Sequence, residues 1–251
     1  MAYIVSLLTA AGSLVGSAVA AASACPASAP LSCQSTGTIQ NTCCTEAQGQ
    51  ILQVQFWDSS PATGPANSWT IHGLWPDNCD GTYKSTCDSS RAYTDISCTL
   101  KNRGATDILN YMETYWKDYQ GNDESFCCYT NYQAEDELVD FLNTTITLFK
   151  DLPTYQWLSN AGIAPSSSKT YTNAAITSAL KAKFGATPIL TCTSGELNQI
   201  QYAFNTYGSV AHGNFVPVNP TGTSGNCPKT GIKYLPKDIS TTPTADEGSC
   251  G

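Results

Sequence analysis

The chain has 251 residues, of which 41% are hydrophobic and only 13% are charged, and its formal net charge at pH 7 is −8. This length fits one domain with a sizeable core, and the low charged content is typical of a secreted protein held by disulfides. The negative charge excludes general nucleic-acid binding through a basic surface, but it leaves room for an enzyme that grips a few nucleotides in a cleft.

The N-terminal segment is apolar, rich in small residues and free of Lys and Arg. Ile4 to Val19 forms its hydrophobic stretch, and Ala18-Val19-Ala20 or Ala22-Ser23-Ala24 offers a cleavage site. Gly, Ser and Ala dilute the stretch and no stop-transfer charges follow, which argues against a transmembrane helix. We therefore predict a signal peptide over 1–24, followed by a single domain over 25–251, in a protein that is secreted or vacuolar and has no membrane anchor.

All of the cysteines follow this segment, and they number 12. An even number in an exported chain indicates a disulfide framework. No C-x-x-C pair is present and neither histidine has the spacing of a metal ligand, so we expect no metal and no other cofactor. One sequon, Asn143-Thr144-Thr145, makes Asn143 a candidate glycosylation site, although it lies in a stretch with helical periodicity.

Hydrophobic periodicity predicts both helices and strands. Apolar residues at helical spacing predict helices over 105–116, 134–149 with a short continuation at 155–158, and 171–184, which Gly185 closes. Strands are predicted over 51–57, 188–192, 197–204 and 209–218, and a polar tail over 240–249. A helical middle between flanking strands predicts the α+β class.

The most informative stretch is the octet Trp69-Thr70-Ile71-His72-Gly73-Leu74-Trp75-Pro76. Its β-branched and aromatic residues suit a half-buried strand. Gly73 allows a close turn, and Pro76 is expected to end the ladder of hydrogen bonds. His72 is one of only 2 histidines in the chain. An imidazole there can exchange a proton near neutral pH, but a lone histidine in an aromatic strand is more often a satisfied core residue.

The octet resembles the first active-site segment of the ribonuclease T2 family, whose pattern is W-x-I/L-H-G-L-W-P. The resemblance extends from about Cys25 to Lys237 and is strongest to the fungal branch. Its other segments are Thr42-Cys43-Cys44, Val54-Gln55-Phe56-Trp57, Tyr115-Trp116 and Cys128-Tyr129-Thr130-Asn131-Tyr132. It implies the family's α+β fold, in which helices pack on a central, mostly antiparallel sheet. It also implies an endoribonuclease acting on single-stranded RNA, and we expect a monomer.

In that family, the ribose 2′-hydroxyl attacks the adjacent phosphorus and expels the 5′-oxygen, which leaves a 2′,3′-cyclic phosphate. The resemblance makes His72 one proton-transfer group. It places Trp75, Asp77 and Tyr83 around the base on the 5′ side of the cut, which they would hold by stacking and by hydrogen bonds to its edge. The positions that line the family's second base site match Gln55, Gln120 and Phe126.

The family's second active-site segment, F-W-x-x-E-W-x-K-H-G-T-C, has no counterpart in this chain. Phe126 runs directly into Cys127 and Cys128, so about ten motif residues and the short loop after them are absent. A catalytic Glu, a Lys and a second His are absent with them. His212 lies where the family has no chemistry, and Glu124 belongs to a polar turn, so neither is assigned the missing role.

This loss predicts a very low activity. A general acid or base contributes about 10²–10⁴ in rate, and charge stabilisation about 10²–10³ more, so about 10⁴–10⁷ is lost together. Two hypotheses follow. The chain is a secreted endoribonuclease whose second segment was lost from this sequence by a mispredicted splice. Alternatively, it is a non-catalytic relative that binds nucleotides or a protein partner through the surviving base pocket. Cleavage would be favoured at mildly acidic pH, where carboxylates lose charge and histidines gain it.

The family's disulfide pattern leaves Cys98 and Cys250 as a sixth pair. Each bridge is expected to contribute about 2–4 kcal/mol of stability. The bridges that the pattern implies are Cys25–Cys44, Cys33–Cys79, Cys43–Cys128, Cys87–Cys127 and Cys192–Cys227.

Overall fold

The computed structural model describes residues 30–34, 46, 49–83, 92–93, 95–117, 126–127, 136–208, 210, 213–222 and 224–241. Within them, helices and strands combine in the α+β fold that the sequence predicts. The predicted signal peptide and Gln120 lie outside the described residues. So do Cys25, Cys43, Cys44, Cys87, Cys128 and Cys250.

One mixed, mostly antiparallel sheet organises the described strands. In chain order the strands are β1 (Gly49–Phe56), β2 (Thr70–Asn78), β3 (Ala92–Tyr93), β4 (Phe126–Cys127), β5 (Thr170–Tyr171), β6 (Ile189–Thr193), β7 (Glu196–Tyr207), β8 (Asn214–Pro217) and β9 (Ile232–Lys233). β1 pairs antiparallel with β2 on one side and with β7 on the other. The far edge of β7 pairs with β6, β8 and β9, and β9 continues to β5. β3 and β4 pair separately. The sheet is therefore centred on β1 and β7, and β2 is an edge strand.

The helices contribute to one hydrophobic core and begin and end for local reasons. They are α1 (Ile96–Asn102), α2 (Thr106–Tyr115), α3 (Asp136–Asp151), α4 (Thr154–Asn160) and α5 (Asn173–Phe184). α5 begins where the Thr172 hydroxyl accepts a hydrogen bond from the Ala175 N–H, and it ends at Gly185 in the left-handed conformation. Pro153 separates α4 from α3. In the described part of the chain, no helix has the length and apolar character needed to cross a membrane.

The two faces of the sheet bury very different amounts of apolar surface. Alternate residues of β1 face opposite sides. Ile51 belongs to the main core, which also contains buried residues of all the helices. Leu52 and Val54 face the other side, where they form only a small cluster with Ala203. That sparsely covered face of the sheet is the one that carries the octet histidine.

Several sequence-based boundaries need correction. Pro76 does not end the ladder, because β2 continues to Asn78 with Ile51 opposite Pro76. Proline is tolerated there because β2 lies at the edge of the sheet. Of the strand expected over 209–218, the described residues form a strand at Asn214–Pro217, and Val210, Gly213 and Val218 are not in it. α1, β5 and β9 are not predicted, because elements of 7 and 2 residues are too short to show a hydrophobic period.

The described cysteines are consistent with the implied framework. Cys98 is disulfide-bonded, but the structure does not describe its partner, so its pairing with Cys250 stays a prediction. Two of the implied bridges are formed, with Cα–Cα distances of 5.2 and 4.8 Å, namely Cys33–Cys79 and Cys192–Cys227.

A buried lysine ties the loop before β2 to the C-terminal part of the chain. The Lys237 ammonium donates hydrogen bonds to the carbonyl oxygens of Thr63 and Ser68, and it lies 4.6 Å from the centre of the Trp57 ring. Burial lowers the pKa of Lys237 to about 8, which the charge of Asp58 opposes. The loop that leads into the octet is thus held by a single side chain from the other end of the domain.

We expect Lys237→Met to lower the free energy of unfolding by about 1–3 kcal/mol, because two buried carbonyl oxygens lose their donor. Urea denaturation measures this change. Lys233→Met is the matched control, because the Lys233–Glu196 ion pair is exposed and 3.7 Å long. Its loss should change stability by less than about 1 kcal/mol. Equal effects of the two substitutions would show that Lys237 has no special role.

Candidate active site

A bulge in the pairing of β1 with β2 sets which side chains face the site. Val54 lies opposite Gly73, but Gln55 lies opposite Ile71, so His72 is an extra residue between two regular pairs. An extra residue shifts the alternation of side chains by one. His72 therefore faces the same side of the sheet as Val54, whereas Ile71 stays in the main core.

Aromatic rings and one amide fix the imidazole of His72. The Phe56 ring stacks on it with 4.0 Å between centres, and the Trp75 ring meets it edge-on at 5.1 Å. The Gln199 side chain forms a hydrogen bond with the imidazole. The indole N–H of Trp116 donates a hydrogen bond to the backbone carbonyl oxygen of His72 at 3.2 Å. His72 Nδ1 is buried and has no hydrogen-bond partner in the described part of the chain.

Burial shifts the pKa values of one basic group and one acidic group of the site in opposite directions. It lowers the pKa of His72 to about 4, although the hydrogen bond with Gln199 opposes the shift. It raises the pKa of Asp77 to about 6. At pH 5, therefore, His72 is largely neutral and can accept a proton, while most of the Asp77 carboxyl is protonated and can donate a hydrogen bond.

Four of the residues that the sequence singles out, His72, Trp75, Asp77 and Tyr83, line one cavity of about 220 Å³. The remaining lining residues are Leu52, Val54, Gln199 and Gln201. Two of the aromatic side chains stay open to solvent, since Trp75 is 40% exposed and Tyr83 is 66% exposed. Exposed aromatic rings beside a cavity with a buried carboxyl group are suited to stack a flat, hydrogen-bonding ligand.

The loop that carries Tyr83 is held by contacts on both sides. The Cys33–Cys79 bridge anchors its start. The Gln50 side chain accepts a hydrogen bond from the Thr221 N–H at 2.9 Å. A side chain at Gly81 could not be accommodated, because its Cβ would lie 2.2 Å from the Thr221 carbonyl oxygen. The cavity wall is therefore built on rigid contacts.

Comparison with known proteins identifies the family of the chain. Residues 36–214 match the ribonuclease T2 family. Ribonuclease Trv of Hypocrea rufa is 50% identical over 234 residues, which cover 86% of this chain and 100% of that protein. Ribonuclease T2 of Aspergillus oryzae is 44% identical over 232 residues, which cover 85% of this chain and 84% of that protein. The chain belongs to the ribonuclease T2 family.

Solved structures agree with this assignment. Actibind, a T2 ribonuclease described as an antitumorigenic agent, superposes with a TM-score of 0.78 at 41% identity and covers 85% of this chain and 98% of its own. Human RNase T2 superposes with a TM-score of 0.54 at 21% identity, and the match covers 75% of this chain and 98% of the human chain. This likeness supports the assignment of the fold. The disulfide-stapled α+β fold is thus the T2 fold.

Only one of the residues expected at the family's second base site, Gln55, has a described side chain, and this side chain does not line the cavity. Gln55 is fully buried on the opposite face of the sheet, where its amide donates to the Gln53 side chain and to the Leu152 carbonyl oxygen, each at 3.1 Å. Its amide N–H group is hydrogen-bonded inside the core, and the residue does not line the cavity. Gln120 lies outside the described residues, and only the backbone of Phe126, in β4, is described.

Two glutamines of the cavity lie outside the set that the sequence analysis selects. Gln199 and Gln201 flank Ile200 in β7, so both face the site while Ile200 faces the core. The alternation of polar and apolar residues in this strand carries the signal. Two neutral amides at alternate positions of a strand indicate a polar cavity, but they do not specify a reaction.

The described cavity wall has one imidazole and lacks basic side chains. His72 is the only imidazole on the described cavity wall, and that wall includes no Lys or Arg. Within the described residues, no cluster of three potential metal ligands occurs. The described geometry therefore supplies a cavity with exposed aromatic rings, one buried carboxyl group and one imidazole.

Asp77 should give nucleotide binding a pH dependence. A 2′-deoxy dinucleotide has no 2′-hydroxyl, and its phosphodiester does not titrate near pH 6. We expect it to bind about fivefold more tightly at pH 5 than at pH 7, because protonation of Asp77 removes a negative charge from the cavity, an effect of about 1 kcal/mol. Calorimetry at constant ionic strength measures the affinity. Asp77→Asn should bind with nearly equal affinity at both pH values, and an unchanged pH dependence in that variant would exclude Asp77 as its source.

Proposed function

We propose that this chain is a secreted T2-type protein that binds single-stranded RNA and cleaves it very slowly by transesterification. The observation that carries the proposal is that His72, Trp75, Asp77 and Tyr83 line one cavity of about 220 Å³. A related fold, RNase NT, has been solved in complex with 5′-AMP, which supports a nucleotide as the ligand of such a cavity.

The base on the 5′ side of the cut would lie between the two exposed aromatic rings. Stacking on Trp75 and Tyr83 contributes about 1–3 kcal/mol per base, and every base has a face that can stack. Asp77 lies at the floor of the cavity, where its carboxyl group can bond the edge of the base. Gln201 adds a neutral donor and acceptor on the same wall. These groups suit a base better than they suit a phosphate, because no cation lines the described wall.

His72 would act on the 2′-hydroxyl of the same nucleotide. Its low pKa keeps the imidazole neutral, so it can take the hydroxyl proton as the 2′-oxygen bonds to phosphorus. The bond from phosphorus to the 5′-oxygen then breaks, and that oxygen requires a proton from an acid on the opposite side of the phosphorus. A single imidazole cannot occupy both sides in one turnover. The leaving oxygen would have to take its proton from water, and this makes the reaction slow.

Alignment lengths support the absence of the second segment. The match to the Hypocrea rufa protein extends over 234 positions but covers only 86% of the 251 residues of this chain, or about 216. About 18 positions of the relative thus have no counterpart. The match to the Aspergillus oryzae protein shows a similar deficit, with 232 positions against 85% of the chain. A missing motif of about ten residues with its following loop has this size.

A non-catalytic function is the second candidate. The described cavity wall favours it, because this wall keeps the aromatic rings and the carboxyl group of a base pocket but no cation to stabilise a pentavalent phosphate. In that case the chain would bind nucleotides, or a protein partner, through the same pocket. Reading the transcript across the Phe126–Cys127 junction distinguishes a gene with an intact second segment from a true non-catalytic relative.

Repair of the gap tests the catalytic reading. A T2-type segment inserted between Phe126 and Cys127 should raise release of cyclic phosphate from a dinucleotide by about 10⁴-fold or more at mildly acidic pH, because it restores an acid and a cation. His72→Ala in the repaired chain should abolish the gain. His72→Ala in the unrepaired chain is the control for background hydrolysis. If the unrepaired chain already cleaves as fast as the repaired one, the need for two segments is refuted.

Export is inferred from the first 24 residues and the cysteine content. We expect the protein recovered from the medium of a eukaryotic host to start between residues 21 and 25 and to carry a glycan on Asn143. N-terminal sequencing and intact mass measure both features, and sedimentation should show a monomer. A mature chain that retains Met1 would contradict export through a cleaved signal peptide.

A further inference from the structure

A second and larger cavity lies on the opposite face of the sheet from His72. Its volume is about 610 Å³, and α3, β7 and β8 form its walls together with parts of α4 and α5. Phe204 of β7 faces this cavity, whereas Gln201, an odd number of residues away on the same strand, faces the active site. The two cavities share no lining residue, so the second one has no part in base binding or proton transfer.

One wall of this cavity contains the acceptor of the sequon. Asn143, Thr147 and Asp151 follow at intervals of four residues in α3 and so lie along one side of the helix. Asn143 is exposed. Thr145, the third residue of the sequon, is fully buried, and its hydroxyl donates to the Phe141 carbonyl oxygen at 2.9 Å. An enzyme that reads this sequon must act before α3 folds, as happens when a chain is modified during export.

The other walls present groups that suit a carbohydrate. Phe215 and Trp157 are partly buried aromatic residues at the cavity, and each keeps an accessible surface. Aromatic faces can pack against the C–H faces of sugar rings. Lys183 and Asn214 supply donors and Asp151 supplies an acceptor for hydroxyl and acetamido groups. The cavity therefore combines apolar and aromatic side chains with polar groups that can form hydrogen bonds, and this combination is what binding of a sugar requires.

Because a glycan on Asn143 is covalently attached at the cavity, weak contacts are sufficient to hold its sugars there. A sugar linked to the Asn143 amide starts on the wall of the cavity, so its return into the cavity is an intramolecular step. Short flexible links give effective concentrations in the millimolar range, where a ligand of modest affinity is already bound for much of the time. The same cavity would bind a free sugar only weakly.

We propose that the first sugars of an N-linked glycan on Asn143 fold back into this cavity and pack on Phe215 and Trp157. The inference rests on the export and glycosylation of the chain proposed above, and it is independent of ribonuclease activity. The glycan would cover apolar side chains between α3 and β8 that are otherwise open to water, and it would thereby stabilise the domain.

The test compares two glycans on the same protein secreted from yeast. One protein is the natural sequence. The other, T145V/A175N, loses the natural sequon and gains one on the exposed surface of α5, because Ala175 is followed two residues later by Thr177. An endoglycosidase that cuts between the first two sugars is applied to each native protein. We expect the Asn143 glycan to be released at least about tenfold more slowly than the α5 glycan, because the cavity must open before cleavage. Both should be released equally fast after denaturation.

Two further variants locate the contact. Phe215→Ala should raise the native release rate towards that of the α5 glycan, and Asn214→Ala, at an exposed position, should do so to a smaller extent without affecting the core. The midpoint of thermal unfolding shows whether each variant is folded. Equal native release rates for the Asn143 and α5 glycans would overturn the packing. An intact mass without sugar at Asn143 would overturn the glycosylation itself. Neither result would bear on cleavage of RNA.

Discussion

The active site depends on the one-residue bulge between β1 and β2. Without it, the two-residue alternation of the strand would place His72 in the main core and Ile71 on the open face. With it, Ile71 is fully buried in the core while His72 faces the cavity with Trp75 and Asp77. The bulge thus lets one short strand serve both the core and the chemistry, and β1 can enforce it because β7 holds β1 from the other side.

The two parts of the site are supported to different degrees. The proposed base pocket is supported by the Cys33–Cys79 bridge and by the hydrogen bonds between Gln50 and Thr221. The proposed proton transfer depends on His72, whose ring contacts Phe56 and Gln199. Under the proposed function, binding would persist where catalysis is weak, because the groups proposed to stack a base are not groups that stabilise charge on a phosphate.

The octet and the longer periodic segments could be predicted from the sequence because their signals are local. α3 is an amphipathic helix of 16 residues, so its hydrophobic period is visible in the sequence alone. The octet matches one family pattern at eight consecutive residues, so it can be assigned without knowledge of the fold. The positions of Gln55 and Gln199 could not be read in this way. Both are glutamines in alternating strands, and which face each strand turns to the helices is decided by pairing across the sheet. The placement of Gln55 in the core follows from its bond to Leu152, which is distant in sequence.

The pKa shifts of His72 and Asp77, both caused by burial, have opposite effects on the stability of the fold in acid. The pKa of His72 falls from 6.5 to about 4, so the unfolded state binds more protons between those values, and this contribution to stability is lost as the pH falls. The pKa of Asp77 rises from 3.8 to about 6, so the folded state binds more protons over nearly the same range, and this contribution is gained as the pH falls. The two contributions oppose each other at pH 4–6. The fold can therefore keep a neutral imidazole and a protonated carboxyl group in one cavity in mild acid with little net effect on stability. These are the protonation states that the proposed roles of His72 as a proton acceptor and of Asp77 as a ligand of the base require.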